Sequence, residues 1–232
     1  MGVTMKLTYL SHSCALIQTE SHAILIDPFL TGNDLAPISS DDVLCDFIIL
    51  THGHEDHVGD TAAIARRTGA TIISNFEIAS YFERQGFATH GLGHGGGWTF
   101  PFGRVKLTIA HHSSSYPDAE GNLRYMGNPA GVILTIDGRN IYHAGDTSVF
   151  LDMELIGRMH PLELALLPIG DNFTMGIEEA AEAARLLKPR MIVPVHYNTF
   201  DLIKADPKEL ATMLEGTDTR VVALKPGEAL EL

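Results

Sequence analysis

One six-residue segment restricts this chain more than any other. His52-x-His54-x-Asp56-His57, within the run THGHEDHVGD, follows directly on the apolar stretch FIIL. Three imidazoles and a carboxylate gathered at the end of an apolar strand are the donors that zinc and related divalent ions use when a coordination position is left for water. A solvated polar loop has no reason to concentrate them. The chain must therefore fold so that this strand end opens into a cleft.

Other donors stand in the same relation to other strands. Asp27 follows AILI, His112 follows VKLTIA, Asp146 follows NIYHAG and His196 follows MIVPV. In layered α/β folds the carboxyl ends of strands line the ligand crevice, so residues distant in sequence can converge there. His111 and His112 are adjacent, and strand alternation does not choose between them because the pleat breaks at strand ends. Cys14 and Cys45 are too few for a disulfide framework. They read as buried apolar residues of a protein in a reducing compartment.

Short β-branched runs recur along the chain: LTYL, CALIQT, AILID, FIIL, TIIS, VKLTIA, GVILTI, NIYHA, LALLPI, MIVPV and RVVAL. Helical patterns lie between several of them, at Thr61 to Arg67, Phe76 to Gln85, Ile177 to Leu187 and Pro207 to Leu214. Asp206-Pro207-Lys208-Glu209 supplies a cap, a proline at the first helical position and an acid three residues after the cap. Asp137-Gly138 predicts a tight hairpin, so part of the sheet system is antiparallel. Mixed sheets covered by helices follow, within one domain spanning 1–232. Gly91 to Gly97 reads as a loop, and Ser113 to Gly131 as a longer polar one, open to use as a lid.

The 29 acidic and 16 basic residues give a net charge of −13, a field that repels phosphate backbones and anionic lipid. The first residues lack the pattern of a secretory leader, and no apolar window reaches the roughly 20 residues of a membrane span. The expectation is a cytoplasmic protein that acts on a small molecule, with no long nucleic acid and no membrane as partner. A homo-oligomer is compatible with this composition.

Asp27, THGHEDH, His112, Asp146 in HAGDT, and His196 together resemble the motif series of the metallo-β-lactamase-fold superfamily, over nearly the whole chain. YLSHSCALIQT, ILIDPFLTGN, GDNFTMG and VPVHYNTF are similar to its small branch of metal-dependent hydrolases of unassigned substrate, near ascorbate-phosphate lactonase-like proteins. The resemblance implies a four-layer αββα sandwich of two mixed sheets flanked by helices. It also implies two divalent metal ions, zinc first, with manganese, nickel or iron also suited to such donors. One would sit on His52, His54 and His112, the other on Asp56, His57 and His196, with Asp146 bridging and Asp27 in support. Among the adjacent histidines it favours His112. The implied reaction is attack of a metal-bridging hydroxide on a small ester, lactone or phosphodiester, with Asp56 as the catalytic acid–base group.

Further candidates have two readings each. His12 either contacts substrate or supports the site, or is an ordinary turn histidine; Asp171 and Asn172 either touch substrate or support a ligand, or cap the helix from Ile177. Tyr197, Asn198 and Thr199 are read as hydrogen-bond support for His196. His143 has no motif support and reads as a satisfied core or surface group. Two other functions share the fold: a mononuclear iron dioxygenase and a ribonuclease-like phosphodiesterase. The latter needs an RNA-gripping arm for which this chain has no basic stretch.

Overall fold

The structure is a computed structural model and describes residues 5–232. The first four residues, which belong to the stretch read for a leader, lie outside it.

The N-terminal half supplies β1 (Lys6–Tyr9), β2 (Ala15–Gln18), β3 (Ala23–Ile26), β4 (Phe47–Ile49), α1 (Glu55–Val58), α2 (Thr61–Thr68), β5 (Thr71–Asn75), α3 (Phe76–Glu83) and β6 (Thr89–Leu92). Then come β7 (Gly97–Phe100), β8 (Gly103–Ile109), β9 (Ser115–Pro117), β10 (Leu123–Tyr125), β11 (Ala130–Ile136) and β12 (Arg139–His143). The remainder is α4 (Asp152–Met159), β13 (Leu162–Pro168), α5 (Ile177–Leu187), β14 (Met191–Val195), α6 (Pro207–Met213), β15 (Arg220–Val221) and β16 (Ala229–Glu231).

These strands build two seven-stranded sheets, ordered β16-β1-β2-β3-β4-β5-β6 and β15-β14-β13-β12-β11-β8-β7. Each changes from antiparallel to parallel part-way across. In the first sheet β3 to β6 run parallel, and in the second β12 to β15 do. Parallel neighbours need a crossover rather than a hairpin; α2, α3, α4, α5 and α6 lie in such connections. The antiparallel β11–β12 pair turns at Asp137 and Gly138, both at positive φ (49° and 77°), as a two-residue hairpin of this hand requires.

Strand alternation decides which layer each side chain enters. Along β3, Ile24 and Ile26 pack between the sheets with Leu107, Val132, Leu164 and Val193, whereas Leu25 packs outward with Ile64, Ile78 and Phe82. On the far side Ala180, Ala184 and Leu187 of α5 cover Tyr142 and Leu167. The result is the helix–sheet–sheet–helix sandwich expected from the resemblance. Leu25, Ile48 and Ile72 are fully buried on the helix-covered face as well, which is why the runs read as continuously apolar. Asp206 caps α6 through Lys208 N, and α5 stops at Lys188, which takes the left-handed conformation (φ 50°) before Pro189.

Two loop readings need correction. Gly91–Gly97 is not a loop throughout: its ends belong to β6 and β7, whose backbones pair with β5 and β8 despite the glycines. Ser113–Gly131 holds the β9–β10 hairpin, in which Arg124 pairs with Tyr116, and its last two residues open β11. The short helices α1 and α4 have no counterpart in the sequence reading. Among the described residues no helix is long and apolar enough to cross a membrane.

Candidate metal centre

β4 delivers the histidine run. Beyond its end, Thr51 donates to Asp27 through both its backbone N–H (2.9 Å to Oδ1) and its hydroxyl (2.7 Å to Oδ2), locking the end of β4 to that of β3. His52 follows, fully buried. The chain then turns tightly at Gly53, whose N–H donates to Ser114 Oγ at 3.0 Å; a Cβ here would lie 2.7 Å from Met126 Cγ. That close approach is what the glycine permits. One turn of helix, α1, then swings Asp56 and His57 back beside His52.

The second sheet supplies the other half. Asp146 follows β12 across the Gly145 turn (φ 65°), His112 follows β8 and His196 follows β14. Asp146 lies at the centre. Its Oδ2 is 3.1 Å from His196 Nε2, 3.6 Å from His112 Nε2 and 3.9 Å from His52 Nε2, while Oδ1 is 3.2 Å from His57 Nε2. His54 Nδ1 stands 3.0 Å from His52 Nε2. Donor atoms within 4.8 Å of one another fall into three groups: His52, His54 and His112; His52, His57 and Asp146; and His12, Asp56, His57 and His196. All seven residues of the expected ligand set are thus brought together. Of the adjacent pair, His112 turns inward and His111 packs its ring on Phe150.

The residues suit a divalent cation on two grounds. Nitrogen and carboxylate oxygen without thiolate is a catalytic rather than a structural donor set. His57 Nε2 and Asp146 Oδ1 are also buried 3.2 Å apart without the alignment of a hydrogen bond, an arrangement that is costly unless something else engages both.

Burial sets the protonation of the cluster. Desolvation, reinforced by His57, holds His52 well below the usual imidazole range; desolvation lowers His54 and His112 as well. All three are neutral, lone-pair-bearing donors at pH 7. At His57 burial opposes the charge, but Asp146, Asp27 and Asp56 overcome it and the pKa is raised. Burial likewise opposes ionisation of Asp146, yet His196 and His57 hold its carboxyl well below the usual range.

His12 sits behind the donor cluster, in contact with one of its members. It is fully buried, its Nε2 3.1 Å from Asp56 Oδ2 and its Nδ1 3.0 Å from Thr199 Oγ1. Burial pushes its pKa down to about 4. Its carbonyl accepts from His196 N at 2.8 Å, a bond that joins the β1–β2 turn of one sheet to the end of β14 in the other. His12, Asp27 and His196 all hold positive φ (55°, 45° and 52°). Non-glycine residues in this region concentrate at functional sites, where packing sustains the strain.

Asp171 and Asn172 are exposed, and neither caps α5. Its N-cap is Gly176, whose N–H donates to Glu179 Oε2 at 3.2 Å. Asn198 holds the following loop by a two-way bond with the Ala205 backbone (3.0 and 3.1 Å). Thr199 supports His12, and Tyr197 packs against the α5 layer. His143 is the satisfied core group it was read as, but its part in holding the turn before Asp146 was not foreseen. It is buried, accepts from Gly145 N at 3.1 Å and so donates from Nε2 to Ser13 O at 2.9 Å, steadying the turn that presents Asp146. The one available signal was its place in HAGDT.

The cluster opens to solvent through a cavity of about 510 Å³ lined by Asp56, His112, Asp146, Phe173 and Leu202, among others. Asp56 itself is 28% exposed, so the donors meet at the floor of an accessible cleft.

The sequence profile of the beta-lactamase superfamily domain matches residues 22–197. The UPF0173 metal-dependent hydrolase of Anoxybacillus flavithermus is 49% identical over 228 residues, covering 98% of this chain and 100% of the relative. The chain belongs to the beta-lactamase superfamily. A second metal-dependent hydrolase, from Pelotomaculum thermopropionicum, is 49% identical over 98% of this chain and 100% of its own length. Among solved structures, Igni18, a metallo hydrolase from Ignicoccus hospitalis, superposes with a TM-score of 0.90 at 39% identity, covering 99% of this chain and 98% of that one. The chain is therefore a metal-dependent hydrolase of the metallo-β-lactamase fold, with histidine and aspartate groups able to bind the metal.

Proposed function

We propose that this chain is a single-domain cytoplasmic hydrolase of small esters, lactones or phosphodiesters, working with two divalent cations, zinc first among them. The observation that carries this reading is the position of Asp146, reached by one nitrogen from each of four histidines at the floor of an open cleft. His52, His54 and His112 would hold one cation, and Asp56, His57 and His196 the other, with Asp146 between them. Such ions, when bound, supply Lewis acidity and lower the pKa of water toward neutrality.

The protein's own groups do the rest. Asp56 is the one carboxylate of the cluster that is substantially exposed, and it can orient the attacking water and return a proton to the leaving group. His12, behind it, fixes which way that carboxylate points. Asp27 does the same for His57, and Thr51 for Asp27. No serine or cysteine nucleophile is required: Cys14 and Cys45 are free and buried, consistent with a reducing compartment.

The test is His54→Ala with bound metal quantified, joined to an activity screen over lactone, phosphodiester and thioester substrates with each candidate metal in turn. Loss of about one metal equivalent and of turnover is expected. Metal at the wild-type level would refute the first site, and stoichiometric iron with oxygen consumption on a persulfide would refute hydrolysis.

A further inference from the structure

A second cavity, of about 730 Å³, adjoins the metal cleft and shares His54, Asp56 and Phe200 with it. Its lining takes in Phe29 and, from the β9–β10 hairpin, Ser115, Tyr116, Pro117 and Leu123. Together the two cavities make one trench. Its apolar side chains are left open to solvent: Leu123 is 74% exposed, Leu202 66% and Phe173 50%. Isolated exposed apolar residues need no explanation, but several that line adjoining cavities at a reactive centre suit a binding surface.

Charge narrows what can bind there. Neither cavity is lined by lysine or arginine, whereas Glu55 and Asp60 line the outer one. The nearby Arg124 is drawn off by Asp118 at 3.3 Å. Apart from the cations proposed at the cluster, an anionic group in the outer cavity would meet Glu55 and Asp60 and no basic side chain of the lining, inside a protein already at −13.

Resting on the hydrolase reading above, we propose that this trench is the subsite for an elongated, apolar and uncharged arm of the substrate. The substrate class is then an ester, thioester or lactone with an aliphatic or aromatic tail rather than one whose tail ends in carboxylate or phosphate. Phe200, common to both cavities, stands where the tail leaves the reacting group.

Two measurements test this. In the metal-loaded protein, kcat/KM for ethyl hexanoate should exceed that for ethyl acetate by about 30-fold, four methylenes each counting for about 2- to 3-fold on partial burial. Monoethyl adipate, of the same length but ending in carboxylate, should fall about tenfold below ethyl hexanoate, because its charge is desolvated without a partner. Leu123→Lys, on an exposed position outside the core, should narrow or reverse that ratio. Equal rates for the two hexanoyl-length esters, or a ratio unmoved by Leu123→Lys, would overturn the proposal.

Calorimetric binding of 2-octanone and 7-oxooctanoate, neither of which can be hydrolysed, reads the trench without turnover. The neutral ketone should bind more tightly in the wild type and lose that advantage in Leu123→Lys; equal affinities would overturn the subsite. If no ester, lactone or phosphodiester is hydrolysed while the ketones bind as expected, the hydrolase reading fails and the apolar subsite stands.

Discussion

Asp27 and His57, thirty residues apart in sequence and both fully buried, meet through a 2.8 Å contact between Oδ2 and Nδ1. The pairing leaves Nε2 as the one nitrogen of the His57 ring directed at Asp146. A carboxylate behind a metal-facing histidine fixes its tautomer and ring orientation and increases its basicity. Asp27→Asn should therefore weaken metal binding by about 10- to 100-fold, as read by competition with a chromophoric chelator. An unchanged affinity would mean that Asp27 only ties β3 to β4.

Asp56 has its own support in His12, and the two roles can be separated. His12→Phe fills the space but removes the contacts to Asp56 and Thr199. Metal content should stay at the wild-type level while kcat falls by about tenfold or more, the usual range for losing the orientation of an acid–base group. A lost equivalent would instead make His12 a ligand, as its membership of the Asp56, His57 and His196 group allows.

Gly53 should not tolerate even one methyl. A Cβ there meets Met126 Cγ at 2.7 Å and Ser114 Oγ at 3.3 Å. Overpacking of this kind costs about 1–3 kcal/mol, which lowers the melting midpoint by about 2–4 °C per kcal/mol in a chain of this size. In a double-mutant cycle Met126→Ala should cost less in the Gly53→Ala background than alone. Additive losses would show that the methyl is accommodated elsewhere.

The hairpin beside the trench carries a pH-dependent element. Asp118 accepts from Asn122 N at 2.8 Å and Glu120 N at 3.1 Å and pairs with Arg124, and its pKa is lowered, chiefly by the Asn122 amide. A depressed carboxyl pKa means that its contribution to the folded hairpin is present above 3.8, the ordinary value, and is lost as pH falls through the folded one. The Asp118 carboxyl carbon, followed by NMR, should titrate below 3.8. A midpoint at or above that value would show that Asp118 does not pin the turn.

Much of the site was legible because donors follow strands, and a strand announces itself by its apolar run. Each of AILI, FIIL, VKLTIA, NIYHA and MIVPV forms or overlaps a strand of a sheet, three of them running one residue past its end. The supporting network was less legible, since it depends on contacts between segments far apart: nothing local to His143 or His12 says that one will meet Ser13 and the other Asp56. β6 and β7 escaped notice because their glycines suppress strand propensity while neighbouring strands still pair with them. α1 escaped because four residues cannot display a helical period.

His52, His54, Asp56 and His57 arrive from one sheet and His112, Asp146 and His196 from the other. The donor cluster therefore works as a gauge of how the two layers are aligned. A sideways slip between them too small to expose any core residue would still change every distance that crosses the seam. Trimming Val132 or Leu107, buried between the layers, is then expected to register in metal affinity before it registers as unfolding. Tolerance to change in this core is then expected to be set by the metal as well as by the melting point.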